Sequence, residues 1–187
     1  MNALATYLLI GINIVLFGLE SLKGGAQDRE VALRFGAQYT PYVERGQWYR
    51  LFLSMFLHAG FIHLMCNMYS LYNLGPALEL FFGIPLYLGL YLASGLAGNI
   101  LTYVVELKTG RRSISMGASG AVFGLLGAYF VIALWPGIAG VSLAGILHVL
   151  AINAVYTFAN RRINAMAHLG GLVCGAAITA VLLLVLT

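Results

Sequence analysis

Apolar residues along the chain form six long runs, which charged residues, glycine or proline interrupt. A helix needs about 20 largely apolar residues to cross a bilayer, so each run is a candidate transmembrane helix. The predicted spans are 3–19, 57–80, 83–105, 117–135, 138–158 and 164–186. Because most connections between them are short, neighbouring helices should run antiparallel. The pattern predicts an all-α membrane protein built as a six-transmembrane-helix bundle.

The connection between the first two spans, residues 20–50, is longer than the others and holds nine charged residues. Its aromatic residues suit the headgroup layer: Tyr39, Tyr42, Trp48 and Tyr49. We therefore expect a long structured first loop. The first span has no basic segment before it, so we expect it to be retained in the protein, unlike a signal peptide.

Composition narrows the class of protein further. Hydrophobic residues make up 61% of the 187 residues and charged residues only 9%, and the mean hydropathy is +0.90. Six spans fill this length, so we expect one membrane domain over residues 1–187. The net charge is +4, yet its ten Lys and Arg form no basic patch, which excludes nucleic acid as a partner. Cys66 and Cys174 lie inside apolar runs and should behave as small hydrophobes.

Basic residues also bear on orientation. All ten lie in the odd-numbered loops, at 20–50, 106–116 and 159–163. The positive-inside rule therefore predicts that these loops face the cytoplasm.

Polar residues inside the apolar runs carry the functional information, because a polar side chain facing lipid is costly. His63 and Asn67 are four residues apart and share one helix face. His58 lies five residues before His63 and should point elsewhere. Ser119 stands where the fourth apolar run begins, and His168 stands near the start of the sixth. His148, with Asn153 nearby, is expected to be interior or to line a cavity.

Glycines at helical spacing accompany two of these residues. Gly117, Gly120, Gly124 and Gly127 follow one face of the fourth span, and Gly171 and Gly175 continue the face of His168. Small residues let helices approach closely in lipid, so the two stripes should face each other. Ser119 and His168 would then meet at one membrane depth. Ser119 alone could belong to a helix-packing interface, and His168 alone could be an ordinary interior histidine. Their joint placement beside His63 and Asn67 favours a serine–histidine hydrolytic site.

Other chemistries fit the residues less well. The four histidines could bind a metal, but the chain has no H-E-x-x-H pattern and no acidic residue after Glu106, so we expect none. A Ser-His-acid triad would need Glu79 or Glu106 to fold back toward His168. A two-residue Ser119–His168 dyad is the simpler prediction.

Several stretches resemble the rhomboid family of intramembrane serine proteases, in order along nearly the whole chain. They are HAGFIHLMCN (58–67), GASG (117–120) and AHLGGLVCG (167–175), supported by WYR (48–50) and LGPALE (74–79). The resemblance implies a rhomboid-type six-helix bundle that cleaves transmembrane protein substrates within the lipid bilayer, without a cofactor. It also implies odd loops on the outer face, which conflicts with the charge count.

Residue by residue, Ser119 resembles the family's nucleophile and His168 its general base. His63 and Asn67 resemble its oxyanion donors, and His58 its structural histidine. Many relatives have tyrosine at the position of Phe123, so here only the ring is available to stack on the histidine. Glycines should pack around the site, namely Gly117, Gly120, Gly171 and Gly175.

Two other functions remain open at this point. A rhomboid-like protein could bind client helices without cutting them, although Ser119 and His168 would then have no use. A small transporter or channel also uses polar residues in mid-membrane, but no halves of this sequence mirror each other. We expect an integral, multi-pass protein of a bacterial inner membrane; the sequence defines no oligomeric state.

Overall fold

The computed structural model describes residues 3–25, 27–135, 138, 140–159 and 164–186. Of the predicted loop at 159–163, residues 160–163 lie outside these ranges. The helices of the described chain are α1 (Leu4–Leu22), α2 (Arg29–Phe35), α3 (Thr40–Glu44), α4 (Arg50–Leu53), α5 (Phe61–Phe82), α6 (Ile84–Thr109), α7 (Ser119–Leu134), α8 (Leu143–Ala159) and α9 (Ala165–Leu186). A 3-10 helix, Ser54–Phe56, follows α4, and two short strands are β1 (Gln38–Tyr39) and β2 (Ile114–Ser115).

Apolar helices long enough to cross a bilayer dominate the described chain. By length and composition, α1, α6 and α9 each qualify. The segment from Arg50 to Phe56 forms a fourth candidate with α5, bent by 87° at the break between them. The helices α7 and α8 are apolar but shorter. The protein is therefore an all-helical integral membrane protein.

Helix α7 lies at the centre of the bundle and packs against α6 and α9. Its residues from Gly120 to Ala128 are all buried. Helix α9 buries a stripe with a spacing of four residues, made of Ala167, Gly171, Gly175, Thr179 and Leu183. A β-carbon added to Gly171 would collide with the carbonyl oxygen of Gly120, and one added to Gly175 with that of Gly124. The two glycine stripes thus face each other, as their spacing predicts.

Helix boundaries differ from the predicted spans at two functionally relevant points. Helix α7 begins at Ser119, not at Gly117, because Gly117 has a φ of 140°, which a right-handed helix does not allow. Helix α5 begins at Phe61, not at residue 57, and Gly60 before it has a φ of 133°. Residues 57–60 therefore form an irregular segment that leads into α5.

The segment before α7 is partly a strand, which the apolar pattern did not indicate. In an antiparallel ladder, Gln38 pairs with Ser115 and Tyr39 pairs with Ile114. The pairing gives backbone groups of both short strands hydrogen-bond partners. It also ties the segment that leads to Ser119 to the region between α1 and α5.

A buried carboxylate fixes the start of α1. The first turn of a helix has N–H groups without partners inside the helix, and Ala3 at the N-cap has no side chain to accept from them. Glu79 of α5 accepts from the N–H groups of Ala5 (2.9 Å) and Thr6 (2.8 Å), and from the Thr6 hydroxyl (2.7 Å). This contact joins α1 to α5 across the bundle.

Candidate active site

A cavity of about 1370 Å³ opens among α5, α7 and α9. Five of the side chains predicted for the active site line it, namely His63, Asn67, Ser119, Phe123 and His168. They come from three separate helices, so only the tertiary fold brings them to one space. The cavity also extends along α5 to Asn73 and reaches Val149 and Asn153 of α8.

Ser119 is the first residue of α7 and is half-buried. The turn before it is held by a hydrogen bond from the Gly117 N–H to the carbonyl oxygen of Ser54, 2.9 Å long. Ala118 occupies the N-cap and provides no side-chain acceptor. Because the first N–H groups of a helix have no partner within it, this end of α7 presents donors and a positive dipole end beside the Ser119 hydroxyl.

His168 lies one turn into α9, and two contacts fix its position relative to α7. Its imidazole stacks on the ring of Phe123, with the centroids 4.0 Å apart and the planes 14° from parallel. A β-carbon added to Gly120 would lie 3.3 Å from the carbonyl oxygen of Ala167. Gly120 and Ala167 are the immediate chain neighbours of Ser119 and His168. The serine and the histidine therefore stand on facing turns of two helices in close contact.

His63 and Asn67 form the opposite wall of the cavity. A β-carbon added to Gly117 would lie 3.0 Å from Nε2 of His63 and 3.7 Å from Nδ2 of Asn67. Both nitrogens thus face the turn that leads into Ser119. Within the described part of the chain, Nδ2 of Asn67 is buried and has no hydrogen-bond partner. Since buried donors are almost always paired, an unused one beside a serine is suited to a developing negative charge.

The structure corrects two predictions about the other histidines. His58 does not point away from His63: its ring meets that of His63 edge to face, with the centroids 5.2 Å apart. Helical spacing does not apply because α5 begins only at Phe61. His58 is fully buried and packs against the His63 ring. The prediction that His148 is interior is also wrong, because His148 is exposed on α8 and absent from the cavity wall.

The two glutamates considered for a triad bind other groups. Glu79 uses both carboxylate oxygens at the start of α1. Glu106, at the end of α6, accepts from the Thr40 hydroxyl at 2.5 Å and from the N–H and hydroxyl of Ser113. Glu106 therefore joins α3 to the segment before β2 and holds that segment in place.

Sequence reasoning missed one residue that contacts several parts of the site. Asn164 precedes α9 and lines the cavity. Its amide nitrogen donates to the hydroxyls of Ser115 (2.8 Å) and Thr102 (3.0 Å). Asparagine just before an apolar helix is a preferred N-cap, so the sequence did contain an indication for its capping role. Nothing in the sequence indicated its contact with Ser115.

The fold and the cavity together define the class of protein. It is a polytopic helical membrane protein in which serine, histidine and amide side chains line one cavity. The Rhomboid domain family model matches residues 45–185. The chain belongs to the rhomboid family, as the sequence resemblance predicts.

Named relatives come from distant organisms. The chain is 36% identical over 172 residues to rhomboid protease GluP of Bacillus subtilis (strain 168), covering 91% of this chain and 33% of GluP. It is 41% identical over 143 residues to YdcA of the same strain, covering 73% of this chain and 68% of YdcA. It is 32% identical over 155 residues to rhomboid-like protease 1 of Toxoplasma gondii, covering 79% of this chain and 52% of that protein. The chain thus spans about a third of GluP and about half of the Toxoplasma protein.

Proposed function

We propose that this chain is an intramembrane serine endopeptidase that hydrolyses peptide bonds in or near transmembrane segments of membrane proteins. The proposal rests on one observation: Ser119, His168 and Asn67 line the same cavity, and the buried Nδ2 of Asn67 has no hydrogen-bond partner in the described part of the chain. Six transmembrane helices, with a structured loop between the first two, would form a single catalytic domain over residues 1–187. The named relatives GluP and rhomboid-like protease 1 support the same activity.

The Ser119 hydroxyl is the nucleophile and His168 is the general base, acting as a dyad. A hydroxyl is a weak nucleophile until a base accepts its proton. As Ser119 Oγ bonds to the scissile carbonyl carbon, the proton passes to the His168 imidazole, which then delivers it to the leaving amine. A water molecule then attacks the resulting ester. His168 accepts a proton from the water and returns it to Ser119 Oγ as the acyl product leaves. The occupied carboxylates of Glu79 and Glu106 favour a dyad over a triad.

His63 and Asn67 stabilise the negative oxygen of the tetrahedral intermediate. Both nitrogens face the turn at Gly117, two residues before the nucleophile. The N–H groups at the start of α7 add further donors. Removing one such donor typically costs about 2.7 to 4 kcal/mol of activation free energy.

Substrates are transmembrane proteins whose scissile segment leaves the helical conformation. A helix hides its carbonyl groups in hydrogen bonds, so glycine or proline near the cut should promote cleavage. Gly117 lines the cavity and lies against the His63 ring, which leaves little room there. We therefore expect a preference for a small residue at the cleavage position, and replacing Ala by Phe there should abolish cutting. Undiminished cleavage of the Phe substrate would refute this preference.

A bacterial inner membrane is the proposed location, supported by the two Bacillus relatives. The active site would open toward the outer face, against the charge count of the loops. Reporter fusions at each terminus distinguish the two orientations.

The direct test is cleavage of a single-span substrate in liposomes. The wild type should cut it, and Ser119→Ala or His168→Ala should lower the rate by at least about 1000-fold. Ser70→Ala is the matched control, because Ser70 lines the same cavity on α5 yet has no assigned role. If Ser119→Ala still cleaves at the wild-type rate, the chain is no serine protease.

A further inference from the structure

Asn164 contacts three separate elements around the cavity. Its amide nitrogen donates to Ser115 Oγ of β2 (2.8 Å) and to Thr102 Oγ1 of α6 (3.0 Å). Its amide oxygen accepts from the N–H of Ala167, 3.1 Å away, in the first turn of α9. Its backbone oxygen accepts from the N–H of His168 at 3.3 Å. One side chain therefore joins α6, β2 and α9.

These contacts lie close to both members of the dyad. Ser115 stands four residues before Ser119, and the segment between them contains the Gly117 turn. Ala167 immediately precedes His168. Thr102 provides a fixed reference, because its hydroxyl donates to the Gly98 carbonyl of its own helix at 2.9 Å and so can accept from Asn164.

We propose that Asn164 is a positioning residue that fixes the segment carrying Ser119 relative to the helix carrying His168. The inference rests on the proposed protease function. The glycine contacts between α7 and α9 set the distance between the helix axes, whereas the Asn164 amide links the loop that enters α7 to the start of α9. A displacement of about 1 Å between reacting groups can lower a rate by about 100-fold, so this loop contact matters for kcat.

Two roles of Asn164 can be separated by substitution. Serine is as good an N-cap as asparagine, so Asn164→Ser keeps the cap of α9. The shorter hydroxyl cannot reach Ser115 and Thr102 as the amide does. Ser115→Ala removes the same bond from its other end and leaves the α9 cap untouched.

The test measures kcat, KM and thermal unfolding in detergent for Asn164→Ser, Ser115→Ala and the double variant. We expect both single variants to lower kcat about 10- to 100-fold, with KM and the unfolding temperature close to wild type. Because both act through one bond, the double variant should have the kcat of the Asn164→Ser variant. Ser142→Ala is the control, since Ser142 caps α8 through the Gly145 N–H (3.2 Å) and should leave kcat unchanged.

The other possible results separate an error in the positioning role from an error in the proposed protease function. If the wild type and Ser142→Ala cleave while Asn164→Ser keeps wild-type kcat, the positioning role is wrong and the protease function stands. A fall in kcat that multiplies in the double variant would mean that the two residues act separately, which also overturns the proposal. If the wild type neither cleaves nor reacts with a fluorophosphonate at Ser119, the proposed protease function is wrong. The positioning role, which rests on that function, is then wrong as well.

Discussion

Helices α9 and α8 flank the same central helix, α7, in opposite ways. At the α7–α9 interface, glycines bring backbone against backbone: a β-carbon at Gly171 or Gly175 would strike an α7 carbonyl oxygen. Along α8, every described side chain is exposed or half-buried, and the helix packs mainly against α7. One side of the bundle is therefore tightly packed, and the other is loosely packed.

This difference matches two requirements of the proposed protease function. Reacting groups must keep a fixed geometry, which close-packed helices supply. A polymeric substrate must also reach them, which requires a side of the bundle that is not sealed. The cavity runs from His168 to Val149 and Asn153, so the loosely packed helix α8 forms part of its wall.

The largest effect is expected from adding one methyl group at the tight interface. Gly171→Ala drives a β-carbon into the Gly120 carbonyl oxygen, so the helices must separate or the chain must fail to fold. We expect complete loss of cleavage and a fall in the free energy of unfolding of about 3 kcal/mol or more. Unfolding in mixed micelles measures the change in the free energy of unfolding.

The matched control for that substitution is Gly89→Ala. Gly89 is also a helical glycine, but a β-carbon there would meet nothing within 4 Å. The free energy of unfolding should stay the same or rise by up to about 1 kcal/mol, since alanine favours the helix. Equal loss of stability in both variants would contradict the close packing inferred for the α7–α9 interface.

The next largest effect concerns the wall opposite the tight interface. Asn67→Ala removes the unpaired buried donor that faces Gly117, and kcat should fall about 100- to 1000-fold, with unchanged KM. The control is Asn73→Ala: it lies on the same helix and lines the same cavity, but its amide donates to the Tyr69 carbonyl at 2.7 Å. If both variants keep wild-type kcat, Asn67 is not an oxyanion donor.

A smaller effect is expected where Phe123 stacks on His168. Phe123→Leu removes an aromatic contact worth about 0.5 to 1.5 kcal/mol, so kcat should fall about 2- to 12-fold. Phe123→Tyr keeps the ring and should act like the wild type. As a control, Phe81→Leu removes a ring that packs edge to face on Phe82, at the far end of α5. A normal rate with Phe123→Leu would show that stacking does not orient the imidazole.

The smallest effect is expected on the loose side. Ile152 of α8 is 55% exposed, so Ile152→Ala should change the free energy of unfolding by less than about 0.5 kcal/mol. Leu125→Ala removes a fully buried side chain of α7 and should cost about 2 to 5 kcal/mol. Unfolding in mixed micelles compares the free energies of unfolding of the two variants. Similar losses in both would mean that α8 is packed as firmly as α7.

The sequence was informative wherever local spacing decides the structure. Glycines at helical spacing predicted the contact between α7 and α9, and polar residues in apolar spans predicted which side chains line the cavity. Both arguments need only the periodicity of one helix at a time. They could therefore be made without knowing the fold.

Features that depend on distant partners were not predictable in this way. The Asn164–Ser115 bond joins residues 49 positions apart, and the β1–β2 ladder pairs Gln38 with Ser115. The position of His58 was mispredicted because the start of α5 depends on the Gly60 turn, not on hydropathy. His148 was mispredicted because a polar residue in an apolar run was assumed to need a buried partner.

The central claim is that Ser119 is a nucleophile activated by His168 across the α7–α9 interface. The most direct measurement is the rate at which a fluorophosphonate probe labels the purified protein, with the modified residue located by mass spectrometry. We expect labelling of the wild type at Ser119, none in Ser119→Ala, and a rate at least about 100-fold lower in His168→Ala. Labelling of His168→Ala at the wild-type rate, or modification of a different serine, would contradict it.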